Sequence, residues 1–336
     1  MTPTQTDRPG IFIYGYYGMH NAGDDLLAEA CVTNLRKLGK YKFYLRNYDD
    51  VPLSQNQDVV LTHLEKMKSG HKSLFSKIIA LGRYFSAHRR IFKHCSSFIL
   101  GGGTLISDNS STMTLLILAF LVSMARCQKM SCHALGLGLG PIRSGFKRRL
   151  ASYILRRLSS LNLRDQASLE LAKSYAPLSG ARLTADMAYS LPEYFAPPAI
   201  QRQENKIIGL TLAGPYLQKK SSLPIKTHLM KALLPALTKL IDQGYSVRCL
   251  SLQELDAHNG SRASDSEIFS ELLDSLSKEK VEIRTLNASA IEVGKCYSQL
   301  DLLIGMRLHS AILSSMHFVP FVGFSHDHKM QEICNE

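Results

Sequence analysis

Short apolar runs alternate with amphipathic helical segments along most of the chain, and this alternation predicts an α/β protein. In the first half, strands are predicted at residues 11–15, 41–46, 97–100, 133–141 and 161–165, and helices at 26–38, 110–126 and 147–158. In the second half, strands are predicted at 207–212, 246–252, 281–286, 302–306 and 319–324, and helices at 225–243, 266–276, 291–298 and 310–316. Strands that alternate with helices in this way build parallel sheets through βαβ units.

One segment interrupts this alternation and predicts a domain boundary. Residues 191–205 are rich in proline and polar side chains, as linkers are. The sequence therefore predicts a first Rossmann-like domain at residues 1–190, a linker at 191–205 and a second Rossmann-like domain at 206–336. We expect these two domains to face each other across a cleft.

Composition narrows the classes of partner. The chain has 336 residues and a net charge of +12, which suits an acidic ligand, an anionic membrane surface or nucleic acid. Nucleic acid ranks last, because no zinc-finger, basic-zipper or RNP pattern occurs. The seven cysteines are scattered without a CxxC pair, and the longest apolar stretch, residues 115–125, is too short to span a bilayer. A cytoplasmic protein with reduced thiols is the expectation.

The most basic stretch lies at residues 64–94. It holds eight Lys or Arg residues against a single acid, Glu65, which gives a net charge of +7, and apolar side chains are interleaved with the bases. This pattern fits an amphipathic helix or helix pair lying on the inner face of an anionic membrane. It equally fits a solvated helix whose apolar face packs on the protein core, and the sequence leaves both open.

Two glycine-rich segments follow predicted strands. The first has glycines at 15, 18 and 23 and leads into Asp24, and its spacing does not match the GxGxxG dinucleotide motif. The second contains three successive glycines, Gly101–Gly103. Both segments are predicted to be ligand-facing turns, because glycine allows the backbone to approach a ligand closely. A tight connection without a ligand is the alternative.

An arginine and a histidine stand where a buried strand at residues 302–306 passes into a helix. Ligands of open α/β sheets bind at this edge, and helix N-termini favour anions. Arg307 can hold a carboxylate or phosphate, and His309 can transfer a proton near neutral pH. The functional interpretation is an anionic-substrate site with an acid or base. The alternative is a surface arginine beside a helix-capping histidine.

Taken together, these segments resemble the polysaccharide pyruvyl transferase family, whose members place pyruvate ketals on surface glycans. The resemblance rests on residues 15–24, 99–108, 136–141, 163–165, 184–186, 304–309 and 319–329. The most specific signals are Gly-Met-Arg-Leu-His at 305–309 with a lysine twenty residues on, and Asn-Ala-Gly-Asp at 21–24.

The resemblance implies a fold similar to that of GT-B glycosyltransferases, with phosphoenolpyruvate as donor in the second domain and a glycan or lipid-linked saccharide as acceptor in the first. It implies His309 as catalytic acid and, on the opposite domain, Asp24 as acceptor base, although an aspartate after glycine often serves only as a helix N-cap. The implied donor residues are Arg307, Leu308, Arg164 and Lys329, and the implied acceptor residues are Asn21, Gly23, Gly102 and Gly103. Neither a cofactor nor a metal ion is implied.

The chain departs from the family pattern in two places. His326-Asp-His-Lys329 stands where relatives often have Tyr-Asp-Pro-Lys, which leaves a tyrosine's role without a counterpart. Relatives also usually continue beyond the position of Glu336 into further helices, so the chain is expected to be either a short member of the family or a truncated one. Two rival functions share much of the pattern: a GT-B glycosyltransferase that uses a nucleotide sugar, and a non-catalytic, membrane-associated module of a glycan-assembly complex.

Overall fold

The computed structural model describes residues 9–47, 56–63, 74–176, 180–191, 206–218, 220–254, 264–274, 276, 280–286, 289–325 and 330–331. The chain divides into two compact units: Met1–Met19 with Leu27–Ser190, and His20–Leu26 with Leu191–Glu336. Three predictions fall outside the described residues: Lys329, the first part of the basic stretch at 64–73, and the linker from residue 192 onward.

The first unit contains a parallel seven-stranded sheet. Its strands are β1 (Gly10–Tyr14), β2 (Lys42–Asn47), β3 (Val59–His63), β4 (Cys95–Ile106), β5 (Ser131–Leu139), β6 (Ser160–Leu163) and β7 (Ala181–Leu183), in the order β3-β2-β1-β4-β5-β6-β7. Its helices are α1 (Ala22–Leu38), α2 (Leu74–Phe92), α3 (Thr112–Cys127), α4 (Gly145–Leu155) and α5 (Gln166–Tyr175). The first residues of α1 belong to the second unit.

Aromatic side chains form the centre of the first unit's core. Phe12 of β1 stacks on Phe98 of β4 with ring centroids 5.6 Å apart, and Phe92 of α2 meets both rings edge-on. His88, also on α2, is fully buried beside them. The described part of the basic stretch therefore packs one face on the core, as one of the two interpretations predicted.

The second unit contains a parallel five-stranded sheet in the order β10-β9-β8-β11-β12. Its strands are β8 (Ile207–Thr211), β9 (Ser246–Ser251), β10 (Val281–Thr285), β11 (Leu302–Gly305) and β12 (Phe321–Gly323). Its helices are α6 (Gly214–Leu217), α7 (Leu223–Asp242), α8 (Asp265–Leu273), α9 (Ala290–Ser298) and α10 (Leu308–Met316). Leu210, Leu237, Val247 and Phe269 are among the fully buried side chains of its core.

The predicted fold class is confirmed, since both units are parallel α/β sheets with helical crossovers of the Rossmann type. Strands β3 and β7 and helices α5 and α6 were absent from the prediction. The turn predicted at Gly101–Gly103 is wrong, because these glycines lie within β4. Among the described residues, no helix has the length and apolar content needed to cross a membrane.

Candidate active site

The site begins where β11 passes into α10. The helix starts at Leu308, two residues earlier than predicted, so Arg307 immediately precedes it and His309 lies in its first turn. The first backbone N–H groups of a helix lack partners within the helix and favour a negatively charged group. Parallel strands end on the same edge of a sheet, so residues following β8, β9 and β11 gather here.

The Arg307 guanidinium is held by two side chains that the sequence prediction did not include. One terminal nitrogen, Nη1, donates to Gln253 Oε1 at 3.0 Å, and the other, Nη2, forms an ion pair with Asp265. Asp265 is fully buried, whereas the arginine side chain is 19% exposed. Both terminal nitrogens of Arg307, the predicted donor-binding arginine, are therefore bonded within the protein, and the Asp265 carboxylate partly balances its charge.

Asp265 is the polar centre of this edge. Its Oδ1 accepts from the backbone N–H of Gly214 at 2.9 Å, and its Oδ2 accepts from those of Leu252 at 3.2 Å and Gln253 at 3.0 Å. One carboxylate thus joins the loops that follow β8 and β9 to the arginine that follows β11. Burial raises the pKa of the Asp265 carboxyl, while the guanidinium of Arg307 and the backbone donors act in the opposite direction.

The N-terminal Asn-Ala-Gly-Asp motif lies in this unit as well. The Ala22 N–H donates to Leu252 O at 2.9 Å, and the Glu254 N–H donates to His20 O at 3.0 Å. These bonds and an antiparallel bridge between Asn21 and Gln253 attach residues 20–26 to the loop after β9. The sequence had assigned this motif to the first domain, on the side opposite His309. The sequence could not show this pairing, because some 230 residues separate the two paired segments.

A glycine brings the motif against the candidate catalytic histidine. A Cβ atom added at Gly23 would lie 2.1 Å from His309 Nδ1, far inside van der Waals contact. Any side chain at position 23 would therefore displace the imidazole. This contact gives Gly23 a physical reason to be glycine and places the first turn of α1 beside the His309 ring.

The two polar side chains of the motif are joined to each other. Asn21 Nδ2 donates to Asp24 Oδ2 at 2.8 Å, and Asn21 Oδ1 accepts from the Gly23 N–H at 3.2 Å. Because α1 begins at Ala22, the capping position belongs to Asn21, and Asp24 is the third residue of the helix. The interpretation of Asp24 as an N-cap is therefore wrong, and its acceptor-base role stays a prediction.

Three buried polar atoms at the carboxyl edge of the second sheet have no hydrogen-bond partner among the described residues. They are Thr211 Oγ1 at the end of β8, Ser251 Oγ at the end of β9 and Arg307 Nε. Buried polar atoms are rarely left without partners, and a catalytic role is one of the explanations for the exceptions. The buried Tyr297 hydroxyl donates to Ser310 Oγ at 2.9 Å and so holds the first turn of α10 against helix α9.

Arg164, the other predicted donor arginine, lies in the first unit. Its guanidinium donates to Asp165 at 2.9 Å, to Asp186 at 3.4 Å and to Thr104 Oγ1 at 3.2 Å. A Cβ at Gly138 would lie 2.8 Å from its Cζ atom, so this glycine makes room for the guanidinium. Two carboxylates offset the charge of Arg164, which weakens the electrostatic case for a donor anion at this residue.

Two of the predicted acceptor glycines have backbone conformations that other residues rarely adopt. Gly102 and Gly103 have φ angles of +78° and +70° within β4, and a Cβ at Gly102 would press on Leu27 at 3.2 Å. The neighbouring Gly101 carbonyl accepts from the Tyr17 hydroxyl at 2.5 Å. Backbone conformation and packing thus account for these glycines, and their acceptor role stays a prediction.

The fold is similar to that of UDP-GlcNAc 2-epimerase from Neisseria meningitidis bound to UDP-GlcNAc, with a TM-score of 0.60 and 11% sequence identity over 97% of this chain and 85% of that one. It is also similar to that of HepE from Anabaena in complex with UDP-glucose, with a TM-score of 0.58 and 12% identity over 94% of this chain and 80% of that one. These likenesses establish a GT-B fold. The family model for polysaccharide pyruvyl transferase matches residues 21–328, from the Asn-Ala-Gly-Asp motif to beyond His309. The chain belongs to the polysaccharide pyruvyl transferase family.

Proposed function

We propose that the protein transfers pyruvate from phosphoenolpyruvate to two hydroxyl groups of one sugar in a surface polysaccharide or its lipid-linked precursor. The products are a pyruvate ketal and inorganic phosphate. The observation that carries the proposal is the contact between Gly23 and His309, which joins the two most specific family motifs at one sheet edge. Motifs separated by nearly 300 residues have a reason to converge when they serve one site.

The reaction needs an acid, a base and an environment that favours anions. The methylene carbon of phosphoenolpyruvate takes up a proton and becomes the methyl group, and positive charge develops at C2. Two hydroxyl oxygens bond to C2 and lose their protons as the C2–O bond to phosphate breaks. One of these protons balances the proton taken by the methylene carbon, and the other leaves with the phosphate.

The contacts at the edge of the second sheet support a division of these roles. His309 is the proposed acid, since an imidazole can donate a proton near neutral pH and Gly23 lets it sit against the first turn of α1. Asp24, one residue further along α1, is the proposed acceptor base. Arg307 and the N–H groups of Leu308 and His309 at the start of α10 form the proposed environment for the donor's carboxylate and phosphate.

The remaining predicted site residues have less support. The acceptor roles of Asn21, Gly102 and Gly103 and the donor role of Lys329 stay predictions. A donor role for Arg164 is opposed by its own carboxylate partners, Asp165 and Asp186.

A nucleotide-sugar glycosyltransferase is the rival function, because HepE was solved with UDP-glucose and the epimerase with UDP-GlcNAc. Ligand-induced thermal shift separates the two, since a ligand that binds the folded state raises Tm. We expect phosphoenolpyruvate to raise Tm and UDP- or CMP-sugars to leave it unchanged. A shift with a nucleotide sugar and none with phosphoenolpyruvate would favour the rival.

Two variants assign the shift to this site. Arg307→Ala should abolish it, because the cation near the donor anions is gone, and His309→Gln should keep part of it while turnover is lost. The matched control is His228→Gln, an exposed histidine on α7, which should behave as wild type. An unchanged shift in Arg307→Ala would place the donor elsewhere.

The base assignment needs its own comparison. Asp24→Asn should leave phosphoenolpyruvate binding intact and slow transfer by roughly 100-fold or more, as loss of a general base does. Asp25→Asn is the control, because both carboxylates lie in the first turn of α1 and interact similarly with the helix dipole. If both variants turn over at the wild-type rate, Asp24 is not the base.

A further inference from the structure

Three helices of the first unit form a continuous layer. The connections from β3 to β4 and onward to β7 all run in one direction across the sheet, whereas the connection from β1 to β2 runs in the other. Right-handed crossovers therefore put α2, α3 and α4 on the same face of the sheet, opposite α1. Helix α3 packs between the other two. The Phe85 and Phe120 rings join α2 to α3 with centroids 3.9 Å apart, and Ser123 Oγ bonds Tyr153 Oη at 2.8 Å between α3 and α4.

The outer side of this layer exposes apolar side chains in helical stripes. On α3, Met113, Leu116 and Phe120 follow at intervals of three and four residues and are each 39–50% exposed. On α4, Phe146 is 53% exposed and Tyr153 lies two turns further on the same stripe. Single exposed apolar residues are ordinary, but stripes on adjacent helices form a patch of the kind that marks an interaction surface.

Basic residues surround and interrupt these stripes. On α2 and just after it, Arg83, Arg90 and Lys93 share one exposed face, and on α4 and just after it, Arg149 and Arg156 alternate with the aromatic residues. The three helices contain no Asp or Glu. We call the set the α2–α4 surface: Arg83, Arg90, Lys93, Met113, Leu116, Phe120, Phe146, Arg149, Tyr153 and Arg156.

We propose that the α2–α4 surface docks the protein onto an anionic lipid bilayer. Amphipathic helices bind the membrane interface when an apolar stripe enters the headgroup–acyl boundary and neighbouring bases meet anionic headgroups. The long Arg and Lys side chains of this surface can keep their charges at headgroup level while the apolar stripes insert. Helices α3 and α4 lie outside the basic stretch at residues 64–94, so the surface is larger than the sequence pattern indicated.

The charge pattern argues against a second copy of the chain as the occupant. A two-fold symmetric interface would bring this surface against itself, and like charges would then face each other across it. With no acid on the three helices, these charges have no complementary partner in such an interface. An anionic bilayer supplies both the negative charge and the apolar phase, and the proposal does not depend on which reaction the protein catalyses.

Flotation with extruded vesicles tests the proposal on the full-length protein. The vesicles contain phosphatidylcholine alone or phosphatidylcholine with phosphatidylglycerol, each at low and high ionic strength. We expect binding to the anionic vesicles at low ionic strength and a marked decrease with added salt, because salt screens exposed charges. Absence of binding to anionic vesicles at low ionic strength would overturn the proposal.

Two sets of variants locate the contact. Arg83→Gln, Arg90→Gln and Lys93→Gln combined should lower the partition coefficient on the order of a hundredfold, given a factor of about five for each base. The charge-matched control combines Lys40→Gln, Lys231→Gln and Lys239→Gln, exposed lysines that are not part of this surface. If the control lowers binding as much as the test variant, net charge and not this surface causes binding, and the proposal fails.

Apolar variants provide the second readout. Phe146→Ser should weaken binding while its salt dependence stays the same, because the apolar contribution is not screened. Its control is Leu38→Ser, a 75% exposed residue at the end of α1, on the opposite face of the sheet. Light scattering completes the test: a dimer that Phe146→Ser converts to a monomer would identify the surface as an interface between copies and overturn the membrane proposal.

Discussion

Replacing Asp265 by asparagine tests the most connected side chain of the candidate active site. The carboxylate is fully buried and accepts three backbone N–H groups as well as the Arg307 guanidinium. Asparagine has nearly the same shape but carries one acceptor oxygen and one NH₂ group. Whichever way it is turned, the NH₂ group meets donors, and Arg307 loses its counter-charge.

The expected cost follows from these contacts. Removing one partner of a buried ion pair destabilises a protein by about 3–5 kcal/mol, because the other charge stays buried without compensation. For a unit of this size, such a loss lowers Tm on the order of 10 °C. The control, Glu271→Gln, removes an ion pair with Lys226 in which the carboxylate is 52% exposed. Exposed pairs contribute about 0–1 kcal/mol, so the control should change Tm only slightly.

Differential scanning calorimetry of five proteins completes the test: wild type, the control Glu271→Gln, Asp265→Asn, Arg307→Leu and the double variant. The double variant should be less destabilised than the sum of the single variants, because removing Arg307 also removes the uncompensated charge. If Asp265→Asn lowers Tm by no more than Glu271→Gln does, the carboxylate does not join these loops as described. Strict additivity in the double variant would likewise contradict the ion pair.

Two further predictions concern Gly23 and His88. Gly23→Ala should displace the His309 imidazole and reduce phosphate release by roughly 100-fold, whereas Gly82→Ala, which meets no atom within 4 Å, should leave the rate unchanged; equal rates in both would remove the steric argument. Burial lowers the pKa of His88 from 6.5 to about 4, so the unfolded chain takes up a proton at higher pH than the folded one. The free energy of unfolding is therefore unaffected by His88 protonation above about pH 6.5 and decreases between pH 6.5 and pH 4, by an amount on the order of 3 kcal/mol. Urea titrations at several pH values should show this decrease in the wild type and a flatter pH dependence in His88→Leu.

The alternation of apolar runs and amphipathic segments was enough to predict the fold class. A buried parallel strand such as β11 is a short apolar run, and α7 has helical periodicity over 20 residues. Strand β3 was missed because Val-Val-Leu-Thr-His is short and follows residues without a clear pattern. The glycines of β4 were misread as a turn because positive φ angles are typical of turns, and only the neighbouring strands show that the sheet continues through them.

The candidate active site could be predicted only in part. Arg307 and His309 were found because they follow a strand directly. Asp265 carried no such signal: after Ser264 and before Glu267, it resembles any residue in a capped first helical turn. The pairing of residues 20–22 with 252–254 depends on tertiary structure alone, and it decides that the N-terminal motif lies beside His309.

The central claim is the transfer of pyruvate from phosphoenolpyruvate to a saccharide, and product analysis tests it most directly. The protein is incubated with phosphoenolpyruvate and a panel of lipid-linked and nitrophenyl saccharides, while phosphate release and the mass of the saccharide are followed. We expect phosphate to appear only when an acceptor is present, in equal amount to a saccharide that carries one pyruvate ketal, and His309→Gln to form neither. Release of a nucleoside diphosphate from a nucleotide sugar, with no consumption of phosphoenolpyruvate in the presence of any of the saccharides, would contradict the proposed pyruvyl transfer.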